Sequence, residues 1–228
     1  MPSYWVDSVA RRSGWRFGFF FAAAILTFPI WRTLRSADLV MAAVATVILF
    51  LSILVHELAH AVVGRCFDIP IRWIEVNVYG GLVNFLVRPK SRPRDFAITV
   101  AGPAVNLALG CAALLGLQVL TRTQPSAMDW EQATLVEVLR ILAYVNLGLC
   151  IVNLLPGFPL DGGRLLYLLL DGRFGHRAAT RVVGGCGTFF AAISTLVLIV
   201  SAVSGFPIWS PPEFRPNWKA VRSAGRSG

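Results

Sequence analysis

Long apolar runs leave this chain few ways to fold. Of its 228 residues, 56% are hydrophobic and only 14% charged, where an ordinary soluble domain carries about 25% charged residues. The apolar residues gather in five runs, near 15–32, 38–65, 96–120, 134–155 and 180–205. Each is close to the roughly 20 residues a helix needs to cross a hydrocarbon core about 30 Å thick. Inside lipid every backbone N–H and C=O must be satisfied by the segment itself, which makes the helix the natural form of such runs. An all-α polytopic membrane protein is therefore expected, with five transmembrane helices, or six if the tail re-enters the bilayer. A dozen mixed residues precede the first run and no clear small-residue cleavage site follows it, so that run is read as a retained anchor rather than a signal peptide.

These runs divide the chain into a cytoplasmic N-terminal segment, 1–14, one integral membrane domain, 15–205, and a flexible tail, 206–228. The tail is broken by Pro207, Pro211, Pro212 and Pro216 and ends in polar and basic residues. One stretch inside the membrane domain departs from the helical pattern. Ile71 to Val87 is rich in β-branched and aromatic residues and interrupted by Gly80 and Gly81, which reads as a small membrane-associated β-hairpin.

The formal charge of +9 resides in short clusters beside the apolar runs. No basic stretch is interleaved with aromatics, so a nucleic-acid partner is not expected. Arg11, Arg12 and Arg16, then Arg65, Arg72, Arg88, Lys90, Arg92 and Arg94, then Arg164, Arg173, Arg177 and Arg181 all fall on one side if five spans alternate. Basic loops stay in the cytoplasm, which puts the N-terminus there. The basic tail would then lie outside, a poor fit that a sixth span would repair. Cys66, Cys111, Cys150 and Cys186 are far apart and form no Cys-x-x-Cys pair, as expected of free buried thiols.

The chemistry is concentrated in HELAH, His56 to His60, within the second run. Residues four apart share a helix face, so His56 and His60 can hold one ion while Glu57 stays next to a bound water. Zinc accepts neutral imidazole nitrogens and about four ligands, with one position left for water. Ionisable side chains in a span cost about 2.5–3.5 kcal/mol on insertion scales, so their presence there implies a partner or a task. Two of the chain's three histidines are in this motif.

A second group, Asn153 to Arg164, ends the fourth run in the sequence NLLPGFPLDGGR. Pro156 and Pro159 break the helix, and Gly162 and Gly163 allow a sharp turn. Asp161 is then either a third metal ligand at the depth of HELAH or a helix N-cap, a role Asp fills well. His176 is a rival third ligand in a loop between runs. Asn153 suits either a hydrogen bond to substrate backbone or oxyanion, or packing between helices.

HELAH on an apolar helix, followed about a hundred residues later by N-x-x-P-x-x-P-x-D-G, resembles the site-2 protease family of intramembrane metalloproteases. The resemblance covers roughly 38–205; Tyr79-Gly80-Gly81 is similar to the family's hairpin beside the active site, and Ala101-Gly102-Pro103 with Asn106 to the start of its third core helix. Neither a PDZ domain nor paired CBS domains are expected, since no sufficiently long segment remains for them. The resemblance implies one zinc ion per chain on His56, His60 and Asp161, with Glu57 as catalytic base, in an enzyme of regulated intramembrane proteolysis. It implies as substrate a single-span membrane protein or a remnant signal peptide, cut in the bilayer. The small size suits a prokaryotic plasma membrane, with the active-site opening on the cytoplasmic side, and a homo-oligomer is compatible with all of this. The rivals are a membrane protein that binds zinc for transport or sensing, and an integral protease for prenylated proteins, which would be expected to use a distal Glu.

Overall fold

In a computed structural model of the protein, the structure describes residues 36–77, 80–123, 129–203, 217–218 and 220–222. The expected first span, 15–32, and the segment 1–14 lie outside the described residues. Helix α1 (Ser36–Cys66) is 31 residues long, about 46 Å at the helical rise and ample for a bilayer core. It stops where Asp68 turns left-handed at φ 59. The Ile69 amide then reaches back to the Gly64 carbonyl at 3.1 Å and the Asp68 amide to that of Arg65 at 2.9 Å. This paired cap satisfies two of the carbonyls a helix end leaves open.

Pro70 follows at once and the chain enters an antiparallel hairpin of β1 (Ile71–Asn77) and β2 (Gly80–Phe85). Its register runs from Asn77 opposite Gly80 to Ile71 opposite Phe85, with an irregularity between Ile71 and Trp73. The hairpin packs back onto α1. The Phe85 ring lies so close over Gly64 that a Cβ at that glycine would overlap it.

Helix α2 (Arg92–Thr123) and helix α3 (Trp130–Asn153) complete the bundle. The Asp129 carboxylate caps α3 by accepting from the Gln132 amide at 2.8 Å. Small residues bring α2 and α3 together, Gly110 facing Leu147 and Gly116 facing Leu139, as is usual where lipid gives no hydrophobic drive between helices. Among the described residues α1, α2 and α3 are long and apolar enough to span a membrane. They correspond to the second, third and fourth runs of the sequence.

Helix α4 (Asp161–Val203) is two helical segments joined at Gly175, φ 78. It contains most of the fifth apolar run and is not among the three candidate spans. Among the described residues the chain is mostly helical with one small hairpin, as the sequence implies. Salt bridges Arg164–Asp95 at 2.6 Å and Arg92–Asp171 at 2.7 Å tie the start of α4 to the start of α2.

Five residues of the segment 206–228 are described. Asn217 and Ala220 are buried, Ala220 in an apolar cluster with Phe158, Tyr167, Leu168, Ala179 and Val183. Asn217 Oδ1 accepts from the Phe158 amide at 2.8 Å, and its Nδ2 donates to the Phe158 carbonyl at 2.5 Å. One amide of this segment thus matches both backbone groups of a residue 59 positions earlier in the chain.

Candidate metal centre

His56, Glu57 and His60 occupy the last third of α1 and are 4%, 5% and 8% exposed. Their ligand-type atoms lie within 4.8 Å of one another. One helical turn sets the two imidazoles nearly edge to face, centroids 4.7 Å apart, and their Nε2 atoms meet at 3.1 Å.

Asp161 arrives from α4. The loop before it folds tightly, with the Gly157 amide on the Leu155 carbonyl at 2.8 Å and the Leu160 amide on the Gly157 carbonyl at 2.9 Å. A Cβ on Gly162 would overlap the Leu154 and Leu155 carbonyls, and one on Gly163 the Gly157 carbonyl, so these two positions take only glycine in this turn. The Leu160 carbonyl accepts from the Arg164 amide, which makes Asp161 the first residue of the helix rather than its cap. Its carboxylate turns to the histidines, Oδ2 standing 3.1 Å from His56 Nε2 and 3.3 Å from His60 Nε2.

The other ring nitrogens say what this triangle needs. His60 Nδ1 meets the Ile98 carbonyl at 2.7 Å and His56 Nδ1 meets Asn106 Oδ1 at 2.8 Å. Both oxygens accept, so each Nδ1 carries a hydrogen, and the nitrogen left to face a metal on each ring is Nε2. The two Nε2 atoms and a carboxylate oxygen face one another, and a cation among them would be held by all three. A tetrahedral zinc site with bonds of about 2.0–2.1 Å has ligand atoms about 3.3 Å apart, close to the 3.1–3.3 Å found here. The donor set and its spacing fit zinc.

Helix α2 makes room for this centre at Ala101-Gly102-Pro103. A Cβ on Gly102 would collide with Nε2 of both histidines. Pro103 interrupts the hydrogen-bond ladder of α2, one step from the Ile98 carbonyl that receives His60. On the opposite side β2 closes over Glu57: Gly81 is in direct contact with its side chain, and the Val83 backbone hydrogen-bonds its carboxylate.

The structure thus brings together His56, Glu57, His60 and Asp161. Asn153 is the last residue of α3 and half-buried. His176 is elsewhere, against the Tyr167 hydroxyl at 2.7 Å beside the Gly175 break. Sequence reading took Asn106 only as a mark of family likeness and passed over Asn146 and Ser52. The available signal was an amide inside an apolar helix, which needs a partner there.

A sequence model of peptidase family M50 matches residues 44–129 and 124–197. The chain is 29% identical over 193 residues to the putative zinc metalloprotease sll0528 of Synechocystis sp., covering 82% of this chain and 48% of that protein. It is 38% identical over 161 residues to the putative zinc metalloprotease Rip3 of Mycobacterium tuberculosis, covering 70% and 38%. The chain thus spans less than half the length of either relative. Its fold is similar to that of the site-2 protease from Methanocaldococcus jannaschii, with a TM-score of 0.60, 21% identity, and coverage of 92% of this chain and 87% of that one.

Proposed function

This chain belongs to peptidase family M50, and from that membership we propose that it is a zinc-dependent intramembrane endopeptidase. One observation carries the reading: the 3.1–3.3 Å triangle of His56, His60 and Asp161 beside a buried Glu57. His56, His60 and Asp161 would hold one zinc ion per chain. Bound zinc would lower the pKa of a water towards about 7 and polarise a peptide carbonyl.

Glu57 is the proton carrier. Next in sequence to one ligand and absent from the triangle itself, it takes a proton from the attacking water and delivers it to the leaving amine. Between Gly81 and Val83 its carboxylate is held by backbone rather than by a mobile side chain. β2 pairs with β1 and lies against Glu57 at Gly81 and Val83. An unwound substrate segment added there as a strand would carry its scissile carbonyl to the centre. Asn153 would hold substrate backbone at the end of α3.

The substrate class is a single-span membrane protein or a remnant signal peptide. The basic clusters support a cytoplasmic N-terminus and a cytoplasmic opening, in a prokaryotic plasma membrane crossed by five or six spans. The test is cleavage of a panel of tagged single-span substrates by purified protein in liposomes, wild type against Glu57→Gln, with zinc counted by elemental analysis. Cleavage should fall by about 10²–10⁴-fold in Glu57→Gln with zinc retained. Zinc binding without cleavage in either protein would point to a zinc-binding membrane protein instead.

A further inference from the structure

Behind His56 stands a line of buried polar groups that the chemistry above does not use. Asn106 on α2 and Asn146 on α3 are 0% exposed, and Ser52 on α1 is 3%. Amides so placed are costly unless bonded, and here the bonds have a direction. Asn146 Nδ2 donates to the Leu142 carbonyl at 2.9 Å and to Ser52 Oγ at 3.0 Å. A backbone carbonyl has no hydrogen to give, so the amide nitrogen must face Leu142 and the amide oxygen must face Asn106. Asn106 therefore donates through Nδ2 to Asn146 Oδ1, at 3.3 Å, and turns its own oxygen to His56 Nδ1, at 2.8 Å.

We propose that Asn146 is a positioning residue for the metal centre, acting through Asn106 to hold His56 in the Nδ1–H tautomer that presents a bare Nε2 to a metal. The inference rests on the metal-binding reading of the site. Without an acceptor at Asn146, the Asn106 amide can flip and offer its NH₂ to Nδ1, which draws the ring proton to Nε2 and removes the ligand lone pair. His60 needs no relay, because the Ile98 carbonyl holds its proton directly. The Leu142 carbonyl thus determines, through two amides, which His56 nitrogen is free.

The experiment compares wild type, Asn146→Asp and Asn146→Leu, reading zinc affinity by competition with a chelator and the ring ¹⁵N shifts of His56 in metal-free protein. Leucine removes the whole amide, whereas a buried aspartic acid stays protonated, donates its hydroxyl to the Leu142 carbonyl and keeps an acceptor oxygen towards Asn106. Asn146→Leu should weaken zinc binding by about 10–100-fold, the range for loss of an outer-shell partner, and Asn146→Asp by less than about threefold. The His56 proton should move to Nε2 only in Asn146→Leu. Equal affinities in the two variants, with an unchanged tautomer, would overturn the relay and leave Asn146 a packing residue. If neither variant folds, the metal-free wild type decides: a proton on Nδ1 of His56 supports the relay, and one on Nε2 overturns it. A wild type that binds no zinc would sink the metal reading, while its ring proton would still judge the relay.

Discussion

Replacing Gly102 by alanine should empty the metal centre while leaving the bundle folded. The added methyl would stand 2.5 Å from His56 Nε2 and closer still to His60 Nε2. Heavy atoms prefer about 3.5–4.0 Å, so the overlap is about 1 Å. Neither ring can simply swing away, since His56 is held at Nδ1 by Asn106 at 2.8 Å and His60 by Ile98 at 2.7 Å. Either α2 withdraws, taking the Ile98 carbonyl with it, or the rings turn and the triangle opens. Loss of one outer-shell bond costs about 10–100-fold in metal affinity. With both rings disturbed, the expected drop is about 100-fold, or about 2.7 kcal/mol. Equilibrium dialysis against a graded chelator series, with zinc counted per chain, measures it. Gly148→Ala is the control, because a Cβ there meets nothing within 4 Å and alanine gains about 0.5–1 kcal/mol over glycine in a helix. Wild-type zinc retention in Gly102→Ala would refute the argument that this glycine exists to admit the centre.

Three further outcomes are expected. Gly81→Ala puts a methyl into the Glu57 side chain without touching the triangle, so cleavage should fall by about 100-fold while bound zinc is unchanged; zinc loss in this variant would contradict the separation of base from ligands. Asp161→Asn removes the anionic corner of the triangle, and zinc affinity should fall by at least about tenfold in the same dialysis assay. Asn217→Ala deletes both side-chain bonds to the Phe158 backbone and should cost about 1–3 kcal/mol, seen as a lower Tm. An unchanged Tm would mean that the 217–222 segment does not brace the loop leading to Asp161.

How far the sequence could be read depended on how local the physics was. The histidine pair and Glu57 were legible because spacing on one helix is a local matter. Asp161 stood in the sequence as ligand or cap, and the turn at Leu154 to Gly163 carries its carboxylate to the ring of His56, 105 residues away in the chain. Asn106, Asn146 and Asn153 look alike as sequence, each an amide in or at the end of an apolar helix. Only the packing of α1, α2 and α3 shows that the first two stand behind His56.

The tail is the converse case, for prolines and charges at 206–216 described its composition well and did not foresee the bonds of Asn217 to Phe158. What the sequence determined alone was the solvent of the fold and the pairing of His56 and His60 on one helix face, since transfer cost and helical period act on neighbouring residues. The approach of Asp161 to the two histidines, the partners of the ring Nδ1 atoms and the strand over Glu57 were decided by tertiary structure, because each needs groups from different elements to meet within a few ångströms, and no spacing along the chain encodes that meeting.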